Sequence, residues 1–171
     1  MEDLITFLRA RLDEDERWAG EASRRHGQAA IEGGVHWQWV NPETDKTITP
    51  APDLDEFVGG EDNFRVSLRS RETWPNPPWE LPQFAIPTAE EVPAAVGGHI
   101  VRHDPARVLA EVEAKRRIIA LCEPPLVDVT GLGDAERQYM PGQGDPWGVD
   151  VLRLLALPYA SHPGYRDTWR S

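Results

Sequence analysis

Three groups of side chains in this sequence have types and spacings that suit chemistry. His99 and His103 lie four residues apart, a spacing that sets two imidazoles on one face of a helix. A metal held there would need a third ligand, and His162, His36 or an acid would have to supply it. Gly97-Gly98 precede the pair and Asp104-Pro105 starts a new helix, so His99 is expected in a loop and His103 packed at the helix entrance. The other two groups are charges set inside apolar helical stripes. Arg11 and Asp15 fall near the middle of the stripe Leu4, Leu8, Leu12, Ala19 and Ala22, which Ile5, Phe7 and Trp18 widen. Lys115 falls in the middle of Val108, Val112 and Ile119, with Glu111 at the edge. Isolated ions are costly in such places unless they are paired. If the two stripes face each other, Asp15 pairs with Lys115 and Arg11 with Glu111. Those four, with His103, are the candidate catalytic or ligand-binding residues; His99, His103 and His162 are the weaker candidates for a metal.

Motifs with more specific mechanics are missing. There is no Gly-x-Ser-x-Gly elbow, no Walker loop and no Gly-x-Gly-x-x-Gly, and no cofactor is predicted. Cys122 is the only cysteine, which excludes an internal disulfide and a cysteine zinc cage and suits a small core residue.

The elements that must position these groups begin with the clearest one. Asp104 is placed to cap a helix and Pro105 fits its first turn, where a missing N–H costs nothing. That helix runs to Glu123-Pro124-Pro125, and a first helix is expected over 2–26. Val35 to Val40 alternates, with Val35, Trp37 and Trp39 on one face, and Phe64 to Ser70 alternates again; both read as strands, with a short third at 46–49. Residues 74–93 are rich in proline, extended, and unable to supply interior strand donors; Trp74 and Trp79 are expected to plug the core. Leu126 to Val129 suits an edge strand. A second Asp-Pro, at 145–146, starts a last helix that ends at Pro158, after which Tyr165 and Trp169 dock back. The fold class that follows is α+β in a single domain over 1–171. Two long helices and a shorter C-terminal helix pack on a small antiparallel sheet, with an acidic and Pro/Trp-rich excursion at 41–93.

The net charge is −11, and residues 41–62 hold seven acids against Lys46 alone, a local and solvated surface. No basic stripe exists, so direct nucleic-acid binding is not expected. The acidic N-terminus is unlike a signal peptide and no apolar run approaches a membrane span, so a cytoplasmic protein without membrane contact is expected.

The segments FLRARLDEDE (7–16), HIVRHDPARVLAEVEAKRRII (99–119) and VLRLLALPYASHPGYRDTWR (151–170) resemble an uncharacterised domain-of-unknown-function family abundant in actinomycetes such as Streptomyces. Sixteen arginines against two lysines agree with that resemblance, which implies no activity and transfers no catalytic residue. The leading expectation is a small cytoplasmic, non-enzymatic accessory or protein-interaction module whose partner is another protein. The alternative is a small enzyme or ligand-binding protein using the charged helix-interface residues, and the third is a His-centred metal protein.

Overall fold

The computed structural model describes residues 1–23, 34–50, 57–60, 65–76, 78–131, 136–142 and 146–170. The chain forms α1 (Glu2–Ala22), β1 (Trp37–Val40), β2 (Thr47–Ile48), β3 (Arg65–Ser70), β4 (Thr73–Asn76), β5 (Trp79–Pro82) and β6 (Ala85–Glu90). There follow α2 (Ala94–Arg102), α3 (Pro105–Cys122), β7 (Leu126–Asp128), β8 (Tyr139–Pro141) and α4 (Pro146–Ala156), with 3-10 turns at Leu157–Tyr159 and Asp167–Trp169. This is an α+β fold with antiparallel sheets. The chain divides into two compact units, one of Met1–Glu14 with Val112–Ser171 and the other of Asp15–Glu111. The predicted cap residue Asp145, strand residue Phe64 and end of the first helix beyond Ser23 lie outside the described residues.

The Asp15–Glu111 unit is built on a four-stranded sheet of order β2-β1-β3-β6. Its core is Trp39, Val58, Val66 and Leu68, with Trp37, Ile48, Phe84 and Val92 packed against it. Val58 corrects the expectation that the acidic stretch 41–62 is a solvated surface, since it is a core residue, while β2 stands where the short third strand at 46–49 is expected. β6 lies at the sheet edge, where the sequence predicts only extended chain. Its Pro87 falls where the β3–β6 register shifts between Val66 and Leu68, a place that does not need its missing donor. The Pro87 carbonyl instead accepts the buried Ser67 hydroxyl.

Two further expectations fail here. The segment around Gly97-Gly98 is helix α2, so His99 is helical and not in a loop. The reason lies across the unit: a Cβ on Gly97 would stand 2.2 Å from Val58 Cγ2 and 3.1 Å from Trp39 Nε1. Trp39 Nε1 donates to the Gly97 carbonyl at 2.9 Å. Glycine is therefore required by the indole pressed on the helix backbone, and that packing outweighs its poor helix propensity. The second failure is Trp79, which is 70% exposed on the β4–β5 hairpin and plugs no core.

Asp104 caps α3 as its sequence predicts, accepting the Arg107 N–H at 3.0 Å through Oδ1. Its other oxygen accepts the Trp37 N–H at 3.2 Å, and the Ala106 N–H reaches the Val35 carbonyl at 3.1 Å, so one carboxylate ties the helix to β1.

The other unit buries Leu4, Leu8 and Leu12 of α1, Val112, Ile119 and Cys122 of α3, and Leu152 and Ala156 of α4. α4 comes close to α3 at Gly148, where a Cβ would lie 3.3 Å from the Cys122 carbonyl oxygen. Burial pushes the Cys122 thiol up, as suits a packing residue. Phe7 sits among four rings: Trp169 at 5.0 Å, His162 at 5.7 Å, Tyr165 at 6.2 Å and Tyr159 at 6.4 Å. The C-terminal segment thus docks back through Tyr165 and Trp169.

Candidate functional site

In the Asp15–Glu111 unit the last turns of α1 present Asp15, Trp18, Ala19 and Ala22 at i, i+3, i+4 and i+7, one side of the helix. With Trp37 of β1, His103 at the end of α2, and Pro105 and Val108 of α3, they line an open pocket of about 230 Å³. The small side chains leave the space, and the two indoles give it aromatic walls.

Trp37 is fixed on several sides. Its Nε1 donates to the Gly34 carbonyl at 2.6 Å, and its ring stacks on Phe84 with centroids 4.8 Å apart and planes 14° apart. Trp18 is 64% exposed, and the Arg17 guanidinium lies 5.9 Å from its ring centre. His103 closes α2: its N–H donates to the His99 carbonyl at 3.1 Å, and the two imidazoles lie 4.2 Å apart. The lining thus combines a carboxylate, an imidazole and two indoles with small or apolar side chains.

Of the five predicted catalytic or binding residues, the structure brings Asp15 and His103 to this pocket. Arg11 pairs with Glu14, and its guanidinium lies 5.8 Å from the Phe7 ring centre. Glu111 accepts from Arg107 Nε at 2.8 Å, and Lys115 is half-buried on α3. The expected pairs Asp15–Lys115 and Arg11–Glu111 each draw one member from each unit. His162 is engaged in its own turn, its Nδ1 accepting the Gly164 N–H at 2.9 Å. Among the described residues no group of three or more His, Cys, Asp or Glu side chains is disposed to hold a metal ion.

Sequence reasoning missed Trp18 and Trp37 as walls of one pocket. The i, i+3, i+4, i+7 spacing from Asp15 marks the helical half, but nothing local links it to β1. It also missed the pair His36–Glu72, whose Nδ1 and Oε1 are 2.5 Å apart. Burial works against the Glu72 charge, but the His36 side chain and the backbone N–H groups of Glu72 and His36 outweigh it and hold the carboxyl below its usual range.

A different kind of surface lies in the other unit. β7 and β8 pair Leu126 with Pro141, Val127 with Met140 and Asp128 with Tyr139. The ribbon is held at both ends: Gly142 N–H donates to the Pro125 carbonyl at 2.8 Å and Val129 N–H to the Gln138 carbonyl at 2.9 Å. Thr130 hydrogen-bonds Asp128 through its side chain and its N–H, which lowers the Asp128 pKa. Yet its apolar side chains face water, Leu126 being 69% and Met140 60% exposed, with Val127, Val129 and Tyr139 also exposed. Leu126 also borders a groove of about 520 Å³ with Met1, Ile5, Thr6 and Pro124, in whose lining Arg9 and Glu123 pair at 2.6 Å.

No helix among the described residues is long and apolar enough to cross a membrane. No curated protein and no solved structure matches the chain. One protein family does match, over residues 1–171, so that the excursion at 41–93 lies within the match. The chain belongs to that family, described as Family of unknown function (DUF6221).

Proposed function

We propose that this chain is a cytoplasmic, non-enzymatic accessory protein of actinobacterial type that works by binding another protein. The observation that carries this reading is the β7–β8 ribbon, ordered by its own hydrogen bonds yet exposing Leu126, Val127, Tyr139 and Met140. A two-stranded ribbon is marginal alone in water; Val127 and Met140 are paired on one of its faces and Leu126 and Tyr139 lie on the other, and exposed apolar side chains of this kind suit an interaction surface. The groove that Leu126 borders mixes apolar side chains with the Arg9–Glu123 pair, a composition that suits a protein interface. With no basic stripe in the sequence, the partner is a protein with an apolar face and not a nucleic acid.

A photoreactive phenylalanine analogue placed at Met140 tests this in the native host. A discrete cross-linked species is expected, absent when the analogue stands at the exposed Glu113 of α3 and lost on adding Val127→Lys, while the purified variant melts like the parent. Equal cross-linking from Met140 and Glu113, or none from either, removes the reading.

A further inference from the structure

We infer that His99, in the last turn of α2, and His103, at its C-cap, form an exchangeable site for one divalent transition-metal ion of the class that imidazole prefers: copper, nickel or zinc. The inference is independent of the ribbon and concerns the other unit alone.

The two ligands are placed by a helix that the core holds. The Trp39 indole pressed on Gly97 pins α2, and the His103 N–H still donates to the His99 carbonyl at 3.1 Å, so the imidazoles stand one turn apart. Both are exposed, with ring centres 4.2 Å apart and planes 30° apart. A bond from zinc to imidazole is about 2.0–2.1 Å long, so one ion bridges nitrogens up to about 4 Å apart. Small side-chain rotations bring lone pairs of these two rings within that span. The proton on one ring is also placed. His103 Nδ1 lies 3.2 Å from the His99 carbonyl oxygen, which can only accept, so Nδ1 carries the hydrogen and Nε2 keeps its lone pair. A carbonyl on the second ring nitrogen is how metal-binding histidines are oriented. Neither ring has a further hydrogen-bond or ion-pair partner among the described residues, so His103 Nε2 and the His99 ring are open to a ligand. Capping α2 accounts for the His103 ring and gives no role to a second imidazole beside it. With no third acid or imidazole in place among the described residues, water completes the shell, and the ion exchanges instead of holding the fold together. Imidazole selects copper, nickel and zinc over magnesium and calcium, which take oxygen ligands. The protein's charge of −11 also draws cations towards it at low salt.

The test titrates copper(II) chloride into the full chain, free of any affinity tag, by calorimetry and electron paramagnetic resonance. One ion per chain is expected, with a Kd of about 100 μM or tighter and two nitrogen donors in the spectrum. His99→Gln and His103→Gln should each weaken binding about tenfold or more and remove a nitrogen from the spectrum. Both rings are exposed, so both variants should melt like the parent, and His99→Gln carries the test if His103→Gln melts lower. His36→Gln and His162→Gln should leave affinity and spectrum unchanged, the His162 Nδ1 being taken by the Gly164 N–H. Binding untouched by His99→Gln and His103→Gln, binding weakened as much by His36→Gln, fewer than two nitrogens in the parent spectrum, or no saturation up to about 1 mM copper(II) would overturn the inference.

Discussion

The four-stranded sheet and the β7–β8 ribbon are both antiparallel and both well hydrogen-bonded, yet only one has a core. Trp39, Val58, Val66 and Leu68 are all but fully buried in the sheet unit, whereas Leu126, Val127, Tyr139 and Met140 of the ribbon are exposed. Backbone pairing is satisfied in both, so hydrogen bonding does not explain why the apolar residues of the ribbon are there. In the sheet those residues act in folding, through area removed from water. In the ribbon the apolar side chains stay largely in water, so less of their area is available to stabilise the fold. The difference teaches that apolar content divides here into residues needed for the fold and residues in excess of it.

The sharpest way to break this comparison is a matched pair of truncations. Trp39→Ala should cost about 3–5 kcal/mol, whereas Val127→Ala should stay within about 0.5 kcal/mol, both read from urea melts. Similar losses would mean that the ribbon has a folding role after all. Next in size is Gly97→Ala: the added methyl meets Val58 and the Trp39 indole, and overpacking of this kind costs about 1–3 kcal/mol. An unchanged melting temperature would show that α2 does not press on β1 so closely.

The smallest effect expected belongs to Glu72, at the border of the hairpin and β1. Its folded-state pKa is lowered, so the stability it contributes is full above the unfolded carboxylate pKa and is lost as pH falls through the depressed folded value. Glu72→Gln should therefore cost up to about 1 kcal/mol at neutral pH, the partly exposed pair with His36 being screened by water. The gap between the two proteins should close on acidification. A gap independent of pH would place the effect of Glu72 elsewhere than in its charge.

Much of the fold is legible in the sequence because its signals are local. Asp104-Pro105 announces α3, the alternation through Trp37 and Trp39 announces β1, and the leucine stripe announces α1. What is not legible depends on distant partners. Gly97-Gly98 reads as a break until Trp39 is placed against it, 58 residues away in sequence. The proline-rich run reads as a strap until a bulge and a sheet edge are available to take Pro87. Asp15 and His103 stand out as candidates from their chemistry alone, but the two indoles that turn them into a pocket come from α1 and β1. Trp18 reads as core from its place beside the leucine stripe, and it is instead an exposed wall.

The edges of the sheet also bear on how this chain behaves when crowded. One edge is β2, only two residues long, and the other is β6, which carries Pro87 at the irregularity in its pairing with β3. Short edge strands and edge prolines are how natural sheets refuse strand-by-strand growth. A protein that exposes this much apolar surface elsewhere is at risk of clumping, and the sheet is the part from which ordered fibrils would grow. With both edges blunted, loss of solubility at high concentration should give amorphous, reversible association through side-chain faces and not a cross-β deposit.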